Sequence, residues 1–190
     1  GAAPLGTVRS ANRAVIGRKG MISRILWVVA LVTIVGGTIA WFIWSVLRPL
    51  PGLKIAIQGR EHIEPGTIHE PYNSNPPPSG PHYAKWSKCG IFEEPIPIET
   101  YIHNMEHGQV IVFYKPDLAK EEVQKLKDFV TPLLDDGWIL MAQNNDIASN
   151  IALASWGRYQ LFDIFDKAGM QAFYKANKAK GPERIPCEVE

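Results

Sequence analysis

Two histidines four residues apart, His103 and His107, with Glu106 between them, are the residues in this sequence whose types and spacing most clearly invite chemistry. They lie in the stretch YIHNMEHGQV, residues 101–110. On an α-helix, positions i and i+4 share a face, so two imidazoles at this spacing can grip one ion. H-x-x-E-H is also the zinc peptidase helix written in reverse, where the histidines bind zinc and the glutamate is the general base. All five histidines, His62, His69, His82, His103 and His107, fall within residues 62–107. A loop can therefore bring His62 or His82 over the helical pair. Imidazole suits zinc, copper, iron and nickel, and a thioether beside it favours copper. Met141 lies in a strand pattern and is the better thioether. Met105, two residues from His103, faces elsewhere on a helix. The candidate ligand set is His82, His103 and His107 with His62 or Met141, for copper first and zinc second. The competing reading is structural. Proline supplies no N–H, and imidazoles can pin a proline-rich loop through its carbonyls.

Catalysis has weaker support. Gly108 should stop the helix directly after His107, and Glu121 and Glu122 sit on a surface-patterned helix, so neither is an obvious third zinc ligand. The sequence holds no G-x-S-x-G, phosphate loop, dinucleotide fingerprint or C-x-x-C. A zinc hydrolase is therefore the third reading, and the expectation is a non-enzyme.

The elements that must position the histidines follow from hydrophobic patterning. "ETYIHNMEH" can make two or three helical turns. "QVIVFYKP" is a buried-strand pattern closed by proline. "DLAKEEVQKLKDFVTPLLDD" predicts an amphipathic helix capped by Asp117 and kinked or ended at Pro132. "GWILMAQ" and "SNIALASWGRY" predict two strands, and "DIFDKAGMQAFYKANKA" a last helix. "LKIAIQG" alternates enough for a short strand. Residues 60–97 carry too much proline for helix or central strand and read as a long loop. The class is α+β: a mixed or antiparallel sheet with flanking helices and a long proline-rich loop.

Ahead of this domain, Ile25–Leu47 is a run of 23 residues without charge. As a helix it would be about 34 Å long, enough to cross a bilayer core. Trp27, Trp41 and Trp44 lie near its ends, where aromatic rings favour the interface. The division is therefore 1–24, a basic and mobile cytoplasmic tail; 25–47, a transmembrane helix; and 48–190, an extracytoplasmic domain. The tail holds five basic residues and no acid, which by the positive-inside rule keeps it in the cytoplasm. The rest of the chain holds fifteen basic and nineteen acidic residues, a balance that argues against a nucleic-acid partner. Gly36 and Gly37, beside Thr33, Thr38 and Ala40, offer a small-residue face for helix packing against other membrane subunits. Cys89 and Cys187 both fall on the oxidising side, where they can pair and tie the C-terminus to the early loop.

"YNSNPPPSGPHY" (72–83), "HNMEHG" (103–108) and "ASWGRY" (154–159) resemble the signature blocks of a bacterial family, domain of unknown function 3105. The resemblance covers roughly residues 55–187. It implies a single span followed by an extracytoplasmic domain at the bacterial inner membrane. It also directs attention to His62, His82, His103 and His107. The family usually has leucine at the position of Met105. The leading expectation is a non-catalytic accessory subunit of a larger respiratory or photosynthetic membrane complex. The alternative is binding or delivery of copper or zinc outside the cytoplasm.

Overall fold

A computed structural model describes residues 6–47 and 49–189. The chain divides into two compact units, the first ending at Pro49 and the second spanning Leu50–Glu190.

The first unit is one helix, α1 (Gly6–Leu47). It begins far upstream of the expected span, so the basic segment from Gly6, expected as a mobile tail, belongs to the same helix; residues 1–5 lie outside the described ones. Its part from Arg24 to Leu47, 24 residues, is long and apolar enough to cross a membrane. Its hydroxyls are satisfied within the helix. Thr38 Oγ1 donates to the Val35 carbonyl at 2.8 Å and Ser45 Oγ to that of Phe42 at 2.8 Å. A membrane helix requires this, because lipid offers no partner. A Cβ at Gly36 or Gly37 would meet nothing within 4 Å, so each leaves a notch in the helix surface.

The second unit is α+β, built on a mixed six-stranded sheet. Its strands are β1 (Leu53–Lys54), β2 (Ile91–Pro95), β3 (Val110–Tyr114), β4 (Ile139–Gln143), β5 (Ile151–Ser155) and β6 (Arg158–Phe162), in the order β1-β6-β5-β3-β4-β2. β3, β4 and β2 are parallel, and the β3–β5, β5–β6 and β6–β1 pairs are antiparallel. Three helical elements connect strands, α2 (Ile98–His107), α3 (Lys120–Val130) and a 3₁₀ turn (Thr131–Asp136), and α4 (Lys167–Asn177) follows β6. Alternation along the strands builds two cores. Val110, Val112, Ile139, Met141 and Leu153 face α3 and α4 through Leu126, Phe129, Val130, Met170 and Phe173. Ile111, Phe113, Leu140 and Ala152 face α2 through Tyr101, Ile102 and Met105.

Three differences from expectation have local causes. β2 lies inside the stretch expected to be loop. It is an edge strand whose register slips between Ile91 and Pro95, the setting in which a strand tolerates proline. "SNIALASWGRY" is a hairpin of β5 and β6 turning at Trp156–Gly157, where Gly157 takes the positive φ of 70°. The N-cap of α3 is Ala119, so Asp117 does not cap it, and Pro132 sits at the start of the 3₁₀ turn that ends the helix.

Candidate metal centre

α2 presents two faces. Tyr101, Ile102 and Met105 lock it onto the sheet. The other face carries His103, Glu106 and His107, and it too is buried, beneath the proline-rich loop and the segment that follows α4. The helix stops where the sequence predicts. Gly108 adopts φ 105°, and the Gln109 N–H reaches the Asn104 carbonyl at 3.0 Å.

The loop is tied down mainly by residues other than histidine. Asn73 Nδ2 donates to the Ala56 carbonyl at 2.9 Å, Tyr72 OH to that of Pro81 at 2.7 Å, and Gln58 Nε2 to that of Pro71 at 2.7 Å. Asn104, on α2, clamps Ser87 from both sides, accepting from its N–H at 3.0 Å and donating to its carbonyl at 2.7 Å. A short parallel bridge sets His62 beside His82, with the Ile63 N–H on the His82 carbonyl and the His82 N–H on that of Glu61.

Two imidazoles do pin the loop, but each with one nitrogen only. His103 Nδ1 lies 2.7 Å from the Tyr83 carbonyl and His82 Nδ1 lies 2.8 Å from that of Gly80. A carbonyl only accepts, so each Nδ1 carries its proton there. The Nε2 of each ring points elsewhere. His103 Nε2 faces His107 Nε2 at 3.0 Å, and His107 Nε2 lies 3.1 Å from Glu183 Oε2. His82 Nε2 faces Glu106 Oε2 at 2.9 Å. Lone pairs pointed at one another repel unless a proton or a metal ion lies between them. Two nitrogens bound to one tetrahedral zinc ion sit about 3.3 Å apart, close to these separations.

Among the described residues, two overlapping groups could hold an ion: His62, His82 and His103, and His103, His107 and Glu183. Within each, the ligand atoms lie within 4.8 Å of one another. The His62 ring stacks on that of His103 with centroids 4.9 Å apart, and His62 Nε2 is 3.8 Å from Glu106 Oε2. Arg60 approaches the other Glu106 oxygen at 3.8 Å. Trp86 covers His103 and His107, its ring 5.1 and 4.6 Å from theirs. His82, His103, His107 and Glu106 are 0–3% exposed, whereas the His62 and Glu183 side chains are 49% and 39% exposed. Burial pushes the His103 and His107 imidazoles below the ordinary histidine value. Both rings are therefore neutral near pH 7, the form that ligates metal.

Of the candidate ligands, His62, His82, His103 and His107 come together. Met141 does not: its side chain belongs to the core between the sheet and helices α3 and α4, on the face opposite α2. Alternation along β4 decides this, since Leu140 is the residue turned toward α2. His69 lies apart against Tyr72 and Glu99. Glu183 was not foreseen. It arrives on the segment after α4, where the Glu183 and Ile185 N–H groups cap the Glu106 and His107 carbonyls at 3.1 and 2.9 Å. A Cβ at Gly181 would run into the Glu106 carbonyl, so only glycine lets this segment approach. Gln109 Nε2 holds it at the Ile185 carbonyl, 2.7 Å away, and the Cys89–Cys187 disulfide fastens its end. The only sequence sign of this return was Cys187.

A family model described as a protein of unknown function (DUF3105) matches residues 64–189. The chain belongs to the DUF3105 family. His82, His103, His107, Glu106 and Glu183 fall within the matched stretch and His62 lies just before it. No curated protein and no solved structure matches the chain.

Proposed function

We propose that this DUF3105 domain binds a divalent transition metal outside the cytoplasm, tethered to the membrane by α1, and gives the ion up by ligand exchange. One observation carries the reading. With its Nδ1 proton committed to Tyr83, His103 turns Nε2 toward His107 Nε2 at 3.0 Å, with both rings buried and Glu183 Oε2 3.1 Å from His107 Nε2. The donor set of imidazole and carboxylate, without a thioether, favours zinc, with copper(II) second. Each group of three ligands includes one exposed residue, His62 or Glu183, which suits exchange better than a closed structural site. The five basic residues before the apolar stretch support a cytoplasmic N-terminus at a bacterial inner membrane. Hydrolysis is disfavoured because Glu106, the base of the reversed peptidase motif, is engaged by His82 and Arg60.

Zinc titration of the full chain in mild detergent, against a competing chelator, tests this. The expected result is one ion bound with micromolar or tighter affinity. A folded protein that takes up no zinc and no copper would contradict it. Membership of a larger membrane assembly is compatible with this function, and proteins that co-purify with the untagged chain identify such a host.

A further inference from the structure

We infer that the two groups of ligands are alternative seats for a single ion, joined at His103, so that the ion crosses from one to the other by exchanging its remaining ligands while His103 holds it. The inference rests on the metal-binding reading above.

His103 is the one residue common to both groups. Its Nδ1 is occupied by the Tyr83 carbonyl at 2.7 Å, which leaves Nε2 alone for metal. That nitrogen has one lone pair and holds one ion at a time. Both groups therefore cannot be filled through His103 together. The first seat is formed by His62 and His82, with Glu106 Oε2 2.9 Å from His82 Nε2 and 3.8 Å from His62 Nε2. The second is formed by His107 and Glu183, 3.1 Å apart. The exposed member of the first comes from the loop before α2, and that of the second from the segment after α4, so each seat reaches solvent through a different part of the chain.

The seats are unequal. A ligating histidine is strengthened when its other nitrogen donates to a carbonyl, and losing such a partner typically costs about 10–100-fold in affinity. His82 has that partner in Gly80 at 2.8 Å. His107 Nδ1 is buried with no partner. The seat of His62 and His82 is therefore the resting position, and that of His107 and Glu183 is the transit position. The move involves no redox step: the ion exchanges His62 and His82 for His107 and Glu183, all as lone-pair donors.

Cobalt(II), whose visible absorption reports its ligands, is the probe. It is titrated into the full-length protein in detergent, as wild type, His62→Ala, Glu183→Gln and the double variant. Both side chains are substantially exposed, so the fold should tolerate each change. The wild type should bind one equivalent. Glu183→Gln should leave affinity and spectrum close to wild type. His62→Ala should still bind one equivalent, about 10–100-fold more weakly, with a changed spectrum. Adding Glu183→Gln to His62→Ala should then cost at least a further tenfold. Two equivalents in the wild type would overturn the shared-ion inference and leave metal binding standing. So would an effect of Glu183→Gln that is the same, or nil, in both backgrounds. No binding by any of the four would overturn both.

Discussion

The two faces of α2 are equally buried and opposite in chemistry. Tyr101, Ile102 and Met105, on the sheet side, are 0–1% exposed, and His103, Glu106 and His107, on the cover side, are 2–3% exposed. The first face is explained by packing alone. Each apolar side chain lowers the free energy of folding by leaving water. The second gains nothing of that kind, since a buried polar group stabilises little when satisfied and costs about 1–3 kcal/mol when not. A helix of ten residues thus spends its covered side on two imidazoles and a carboxylate, groups that could hold a cation. The same contrast appears in the loop. Asn73, Gln58 and Tyr72 use their polar atoms on backbone groups, while His82 and His103 give the loop one nitrogen each and turn the other to Glu106 and His107.

Breaking each face should give separable defects. On the sheet side, Met105→Ala should destabilise the domain by about 2–5 kcal/mol, measured by denaturant unfolding. The refolded variant should still bind zinc. Removing the staple with the Cys89→Ser/Cys187→Ser pair should cost a similar 2–5 kcal/mol. It should also loosen the segment that carries Glu183, seen as faster amide exchange at Glu183 and Ile185. On the cover side, Glu106→Gln preserves shape but removes the charge beside His82, and should weaken zinc binding about 10–100-fold with little change in stability. Full zinc affinity in that variant would show that the carboxylate serves the loop alone.

A pH titration sharpens the contrast further. His103 and His107 titrate below the ordinary histidine value of 6.5 because burial disfavours their charged forms. The unfolded chain therefore takes up protons that the metal-free fold refuses. Stability from these rings is complete above pH 6.5 and should fall as pH drops from there through their folded values, as read by thermal unfolding. A His103→Gln variant should lose part of that slope. The smallest effect belongs to the surface: Lys127→Ala, which breaks the exposed pair with Glu93 at 2.6 Å, should leave both the unfolding midpoint and metal binding close to wild type.

Local patterns made much of this legible in the sequence. The uncharged run from Ile25, the stop at Gly108 and the strand closed by Pro116 each carry their signal within a few residues. The histidine quartet was visible because its members crowd into one stretch. What escaped depended on distant contacts. β2 exists because β4 offers an edge, although its own Pro95 and the prolines around it argue against a strand. Met141 looked available as a ligand until the pleat of β4 fixed its side, opposite the histidines. Glu183 joins them only because Gly181, Gln109 and the disulfide fold the C-terminal segment back under α2, and no periodic pattern encodes such a return.

The most direct measurement is elemental analysis of the untagged protein, purified in mild detergent without chelator, for the wild type and His103→Ala together. The account predicts about one equivalent of zinc or copper in the wild type and none in the variant, with the variant still folded. Equal metal content in the two proteins, or a wild type that stays metal-free after zinc is supplied, would contradict it.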